Sequence, residues 1–381
     1  MTAGRPGVEW PFWICVGLVV YVYVGYPLLL ALLRVFFDNP VKKGPCEPSV
    51  SLLIPSYNEA AVIEKKIANS LALDYPPEKL EIVIASDGSK DSTVDLARAC
   101  IERLGASARV RIFDYPANRG KIAVLNDSVP QLRGDVIVFS DASAMYEPDA
   151  IRELMANYAD PRVGAAGGIY RIRETGSAQT GAQEEMYWRY ESFIKVREAA
   201  MGSILGAHGT IHSLRKELYP FPPLGTINDD WVIPVRVLQR GYRVAYDPAA
   251  KTFEEAHEMT GFGRHVRIMA GNVQQLGELK RFLRPFRPRC VFYFLSHKAL
   301  RLAVPFAMLA ALALNLFLLD AWLYRATLAA QAVFYSLAIL GAAWKLHPKI
   351  LRLPYYFCRV NAAAFFGVYH AFTGRRRMAW S

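Results

Sequence analysis

Cysteine is scarce in this chain: Cys15, Cys46, Cys100, Cys290 and Cys358 are all it has, and no two of them are near one another. That spacing excludes a zinc ribbon and a disulfide-framed secreted domain, and it fits a reducing compartment. Acidic residues are also short, 34 Asp+Glu against 45 Lys+Arg, which leaves a formal charge of +11. Such an excess fits anionic lipid headgroups, nucleic acid or a polyanionic ligand, and does not choose among them. Neither G-x-G-x-x-G nor G-x-x-x-x-G-K-[ST] occurs, so neither a dinucleotide-type turn nor a P-loop is indicated. Charged residues are only 21% of the 381 and apolar ones 53%, which excludes a disordered chain and leaves room for two or three structural units.

The apolar residues gather at the two ends. From Trp10 to Leu33 there is no charge, a run long enough to cross a bilayer and too long for a cleaved signal peptide. Arg34, Lys42 and Lys43 follow it, which places the downstream side in the cytoplasm. Leu302–Leu319 and Ala326–Trp344 are likewise uncharged, joined by a short link from Asp320 to Arg325; they predict a membrane hairpin with both outer ends cytoplasmic. Leu353–Thr373 carries Arg359, Asn361 and His370 and precedes Arg375-Arg376-Arg377, so a re-entrant segment and a third span stand level. Leu279–Arg301 interleaves Lys280, Arg281, Arg284, Arg287 and Arg289 with Phe282, Phe286, Phe292, Tyr293 and Phe294, the pattern of an amphipathic belt on a membrane surface. The expected division is an anchor over residues 1–40, a cytosolic domain over 41–278, an interfacial segment over 279–301 and the C-terminal membrane part over 302–381. Because the basic residues concentrate beside the apolar runs, membrane lipids are the expected anionic partner, and nucleic acid is not.

Between the ends the texture changes. Short apolar runs at Val50–Ile54, Glu81–Ala85, Val110–Phe113 and Val136–Phe139 alternate with helical patterns near Ala60–Leu73, Ser92–Leu104 and Lys121–Val129. That order predicts an α/β fold with a mostly parallel, doubly wound sheet, whose ligand lies at the carboxyl ends of the strands. The four strand ends lead into Pro55-Ser56-Tyr57-Asn58-Glu59, Ser86-Asp87-Gly88-Ser89, Asn118-Arg119-Gly120-Lys121 and Ser140-Asp141-Ala142-Ser143. Any one could be an ordinary polar turn. Four together bring carboxylates, amides and a lysine to one sheet edge, which suits a nucleotide and a divalent cation.

In this order and spacing, those four segments resemble an inverting family 2 glycosyltransferase, of the membrane-bound bacterial type that makes exopolysaccharide and is related to cellulose, chitin and hyaluronan synthases. Further matches are Tyr187-Trp188-Arg189-Tyr190-Glu191, Gly206-Ala207-His208-Gly209, Asn228-Asp229-Asp230, Ser296-His297-Lys298 and the closing Gly374 to Trp380. The resemblance covers about residues 45–381 and implies a nucleotide-sugar-binding, glycosyltransferase-A-type sheet flanked by transmembrane helices. It implies that Asp87 contacts the base and that Pro55, Tyr57, Glu59, Gly88 and Lys121 frame the nucleotide. Asp141 would hold Mg²⁺ or Mn²⁺ on the diphosphate; Ser143 stands where relatives carry a second Asp, so the metal site loses a charge. Asp230 would be the general base with Asp229 in support, although helix capping alone would account for one of the pair.

Arg264-His265-Val266-Arg267-Ile268 stands where processive synthases carry Gln-x-x-Arg-Trp. The resemblance makes Arg267 and Arg264 clamps on the diphosphate, while Ile268 removes the ring that would stack on an acceptor sugar. His208, Gly209 and Trp188 are the expected acceptor-side residues. The leading expectation is transfer of a sugar, from a UDP-sugar by preference, to a growing exopolysaccharide at the bacterial inner membrane, with partner subunits for export. One alternative is addition of a single sugar to a polyprenyl-linked acceptor; another is a catalytically weak nucleotide-binding subunit of a secretion complex.

Overall fold

The computed structural model describes residues 6–173, 181–255, 261–283, 287–343 and 349–373. The closing motif from Gly374 to Trp380 and the middle of the basic belt, 284–286, lie outside them. The chain divides into two compact units, one of the described residues between 32 and 255, the other of those before 32 together with 261–373.

The first unit is built on an eight-stranded sheet: β1 Val50–Ser56, β2 Leu80–Asp87, β3 Val110–Tyr115, β4 Val136–Phe139, β5 Met145–Tyr146, β6 Val163–Arg173, β7 His212–Arg215 and β8 Arg243–Glu255. The order is β3-β2-β1-β4-β7-β6-β8-β5. β1 is buried along its whole length, as a largely apolar strand in a parallel sheet covered on both faces should be. Between strands run the helices Ile63–Leu71, Thr93–Arg103 and Lys121–Ser128. Thr93, Ala97, Cys100 and Ile101 form the buried stripe of the second, the spacing of an amphipathic helix. Leu52, Ile54, Ile63, Ile67, Ile82 and Ile84 share one core and are almost fully buried; each such side chain contributes roughly 1.5–3 kcal/mol.

The half of the sheet read from the sequence is parallel: β1 pairs with β2 and β4, and β2 with β3. Beyond it the sheet is mixed. β7 runs antiparallel to both β4 and β6, and β5 is an antiparallel edge on β8. Register aligns the strand ends, with Ser56 opposite Ser86 and Asp87 opposite Tyr115. Winding outward from β1 through β2 to β3 and then returning to β4 makes a switch point between β1 and β4, where such sheets bind ligands.

The second unit is helical. A helix from Pro6 continues through a π turn at Tyr21–Gly25 into Tyr26–Phe37. Among the described residues, three helices are long and apolar enough to cross a membrane: Gly7–Phe37, Pro288–Asn315 and Trp322–Ala343. The second begins well before Leu302, so the latter part of the basic, aromatic belt is continuous with it. Phe12 packs edge-on against Tyr324 at 5.5 Å and the Tyr21 and Ser296 hydroxyls lie 2.8 Å apart, which ties the N-terminal helix to the C-terminal ones. Helix Phe262–Leu276 packs here too. Gly367, on helix Leu353–Phe372, allows the close approach: a Cβ there would stand 2.6 Å from the Met269 side chain.

Candidate active site at the sheet switch point

Three loops interlock at the carboxyl edge of β1, β2 and β3. Asn58 adopts φ 55° and its side-chain carbonyl accepts from the Lys90 backbone N–H at 2.8 Å. The Glu59 N–H donates to the Thr93 hydroxyl at 2.8 Å and the Ala60 N–H to Asp91. Gly88, at φ 64°, abuts the third loop so closely that a Cβ would lie 2.6 Å from the Ala117 carbonyl carbon. Asp87 is fully buried, and its two oxygens accept from the backbone N–H groups of Arg119 and Gly120 at 2.9 and 2.8 Å. The carboxylate thus shapes the loop that delivers Lys121. Pro55 falls beyond the β4 ladder, which ends at Leu53, so on that side its missing N–H interrupts no strand pairing. Tyr57 and Glu59 follow it, both half-buried.

Lys121 begins its helix, with Gly120 ahead of it at φ 91°. Its ammonium lies 3.0 Å from Asp141 and 3.2 Å from Asp229. Burial opposes the charge, but Asp141 and Asp229 outweigh it and hold the lysine above its ordinary pKa. Asp229 and Asp230 open the helix Asp229–Gln239 after Asn228. Asp229 is buried; Asp230 is half-buried. Two carboxylates converge on Gly209: a Cβ there would sit 3.5 Å from Asp141 Oδ2 and 3.8 Å from Asp230 Oδ2. A longer side chain would crowd both.

Ser143 donates to Glu254 Oε1 at 2.7 Å, and Tyr170 donates to Glu254 Oε2 at 2.6 Å. Beneath, Lys66 is wholly buried and donates to the Ser140 hydroxyl at 2.7 Å and to the Ala144 carbonyl. It spans the base of the segment that carries Asp141 and Ser143. Burial pulls the Lys66 pKa down to about 7, against the opposing pull of Asp141 and Glu254. Glu59 moves the other way, pushed up to about 7 by burial first and then by Asp141, Glu254 and Asp91.

His208 is buried, with Nε2 2.9 Å from the Tyr246 hydroxyl and its ring edge-on to Trp188 at 5.3 Å. Trp188, half-buried on helix Gly181–Ala200, also packs edge-on against Tyr170 at 4.8 Å. Asp87, Gly88, Lys121, Asp141, Ser143, Gly209, Asp229 and Asp230 thus come together in the first unit, whereas Arg264 and Arg267 stand on helix Phe262–Leu276 of the second. Asp141 keeps a partly open carboxylate (31% exposed), and Ser143 and Asp230 add hard oxygens, the donor class that Mg²⁺ and Mn²⁺ prefer. Among the described residues no three His, Cys, Asp or Glu side chains are grouped to hold a metal by themselves.

The sequence reading missed Glu254, Tyr170 and Lys66. Glu254 and Glu255 close the carboxyl end of β8, so the strand-end rule would have found them had this strand been identified. Lys66 betrays itself as a cation on the apolar stripe Ile63, Lys66, Ile67, Ser70.

Residues 51–220 match the family described as glycosyl transferase family 2. Over 216 residues the chain is 30% identical to a poly-beta-1,6-N-acetyl-D-glucosamine synthase of Staphylococcus aureus, covering 56% of this chain and 51% of that protein. It is 29% identical over 225 residues to a probable glycosyltransferase, YdaM, of Bacillus subtilis, covering 55% and 51%. The chain therefore spans about half the length of these curated relatives. Among solved structures, the mannosyltransferase PcManGT from Pyrobaculum calidifontis, in complex with GDP-Man and Mn²⁺, superposes with a TM-score of 0.74 at 22% identity, over 95% of this chain and 99% of that one. The fold is thus a glycosyltransferase-A-like mixed sheet with flanking helices.

Proposed function

We propose that this chain, whose residues 51–220 are a family 2 glycosyltransferase domain, transfers a sugar from a nucleotide-sugar to a saccharide or lipid-linked saccharide at a membrane, with inversion at the anomeric carbon. The observation that carries the reading is the convergence of the Asp141 and Asp230 carboxylates on Gly209, where a Cβ would lie 3.5 and 3.8 Å from one oxygen of each. Transfer needs a carboxylate to take the proton of an attacking hydroxyl and positive charge beside the departing diphosphate. Asp230 is suited to the first role because it is less buried than Asp229, which is committed to Lys121. The new bond forms between the acceptor oxygen and C1 as the C1–phosphate bond breaks, and the proton passes to Asp230. Lys121 keeps a cation beside the diphosphate, and Asp141 with Ser143 offers oxygens to Mg²⁺ or Mn²⁺, which would offset the charge developing on the leaving group.

The activity named for the S. aureus relative supports a polymer as product and an N-acetylhexosamine donor; the three apolar helices among the described residues support attachment to a membrane, and the basic residues Arg34, Lys42 and Lys43 support a cytoplasmic first unit at the bacterial inner membrane. Ile268 favours a second reading, addition of one sugar to a polyprenyl-linked acceptor, because it offers no ring for an acceptor to stack on.

The test is nucleoside diphosphate release by the full chain in nanodiscs, over UDP-, GDP- and dTDP-sugars with Mg²⁺ or Mn²⁺, with products sized. Donor-selective release is expected, and Asp230→Asn should cut turnover by at least about 100-fold while the protein stays folded. Silence with every donor, with lipid acceptors and candidate partner subunits supplied, would overturn the reading in favour of a nucleotide-binding subunit.

A further inference from the structure

Ser143 is neutral at a position beside Asp141 where a second carboxylate would strengthen a divalent-cation site. The charge is not lost from the site: it enters from a different strand. Glu254, near the end of β8, is buried and accepts the Ser143 hydroxyl at 2.7 Å, while Tyr170 pins its other oxygen at 2.6 Å. A hydroxyl that donates to a carboxylate is polarised, and its own lone pairs point away from that partner. The Ser143 oxygen is thereby both oriented and made a better donor to a hard cation, as outer carboxylates do for direct metal ligands. Tyr170 fixes Glu254 so that it cannot swing away, and Tyr170 is itself braced edge-on by Trp188 at 4.8 Å.

We infer that Glu254 is a positioning residue for the donor's divalent cation, supplying through the Ser143 hydroxyl the negative charge that position 143 lacks. The inference rests on the reading of Asp141 as a cation ligand. It also accounts for a buried acidic side chain that the transfer chemistry does not otherwise use. A purely structural Glu254 would support the Ser143 loop equally well as glutamine, whose carbonyl still accepts one hydrogen bond. A charge-supplying one would not.

The experiment measures Mn²⁺ binding to the full chain in nanodiscs by the electron paramagnetic resonance of free Mn²⁺, alone and with UDP or GDP present. Glu254→Gln and Ser143→Ala should each weaken binding by about 10- to 100-fold. The exchange Ser143→Asp with Glu254→Gln, which moves the carboxylate from one partner to the other, should recover most of that loss. Thermal unfolding verifies that each variant folds; if Glu254→Gln does not, Ser143→Ala, which removes a single oxygen, decides. Wild-type affinity in Glu254→Gln and Ser143→Ala, alongside loss in Asp141→Asn, would overturn the role of Glu254 and leave the Asp141 reading standing. Wild-type affinity in Asp141→Asn as well would remove that reading and the inference with it.

Discussion

Asp229 and Asp230 are neighbours in the chain, yet their surroundings differ. Asp229 is buried against Lys121, whereas Asp230 is half-buried beside Gly209. Removing the charge of Asp229 should therefore act on Lys121 and the fold, and removing that of Asp230 on the chemistry. Breaking a buried pair from one side typically costs about 3–5 kcal/mol; Asp141 remains to Lys121, so we expect Asp229→Asn to fall short of that, visible as a lowered unfolding midpoint. Glu59 gives a second prediction at this scale. Its folded pKa is raised to about 7, by burial and then by Asp141, Glu254 and Asp91. The folded state therefore binds the extra proton, and stability falls as pH rises from the ordinary glutamate range to about 7. Glu59→Gln removes a carboxylate that is unfavourable only when charged. Its unfolding midpoint should exceed that of the wild type at pH 8 in EDTA, with the gap closing at pH 4; a gap unchanged across that range would refute the assignment.

At the scale of elements, the site is three loops locked to one another rather than a set of independent turns. Gly88 is the wedge: it needs φ 64° and has the Ala117 backbone 2.6 Å from where a Cβ would go. Gly88→Ala should destabilise the first unit by more than the roughly 1–3 kcal/mol of backbone strain alone, because the Asn118–Lys121 loop must also move. Loss of nucleotide affinity should accompany it, measured by titration with UDP and GDP. The parallel half of this unit was legible in the sequence. Val50–Ile54, apolar but for Ser51, and the unbroken apolar run Val136–Phe139 are closed by polar turns, and the structure extends the first only to Ser56. The other half was not legible, for physical reasons. β6 contains Gly164, Gly167 and Gly168, where larger side chains would strike Val237, Ala207 and the Ala250 carbonyl. β8 is interrupted at Pro248, where its register against β6 jumps from Asp247 to Lys251. Glycine and proline erase the alternation by which a strand is recognised. Glu254 stayed hidden with its strand, while Asp141, on the regular half, did not.

For the whole molecule, the pattern of charge makes a claim about sidedness. Arg34 in the last turn of the first apolar helix and Lys42 and Lys43 after it lie at its downstream end, and Lys298 and Arg301 precede the apolar core of the second. With basic loops retained in the cytoplasm, the proposed orientation puts the sheet unit inside and the turn between Asn315 and Trp322 outside. Outward-facing apolar side chains such as Ile14, Leu28, Trp322 and Ile339, each more than 60% exposed, fit hydrocarbon contact within the spans and at their ends. The arrangement also satisfies chemistry, since nucleotide-sugars are cytosolic in the proposed reaction. In a background with all five cysteines replaced, Asp320→Cys tests the outer turn and Glu102→Cys tests the sheet unit; both native side chains are exposed. A membrane-impermeant maleimide should label the Asp320→Cys protein in spheroplasts, and the Glu102→Cys protein only after permeabilisation. Labelling of the Glu102→Cys protein in intact spheroplasts would place the sheet unit outside, where no cytosolic donor could reach it, and would overturn the proposed orientation and the proposed donor together.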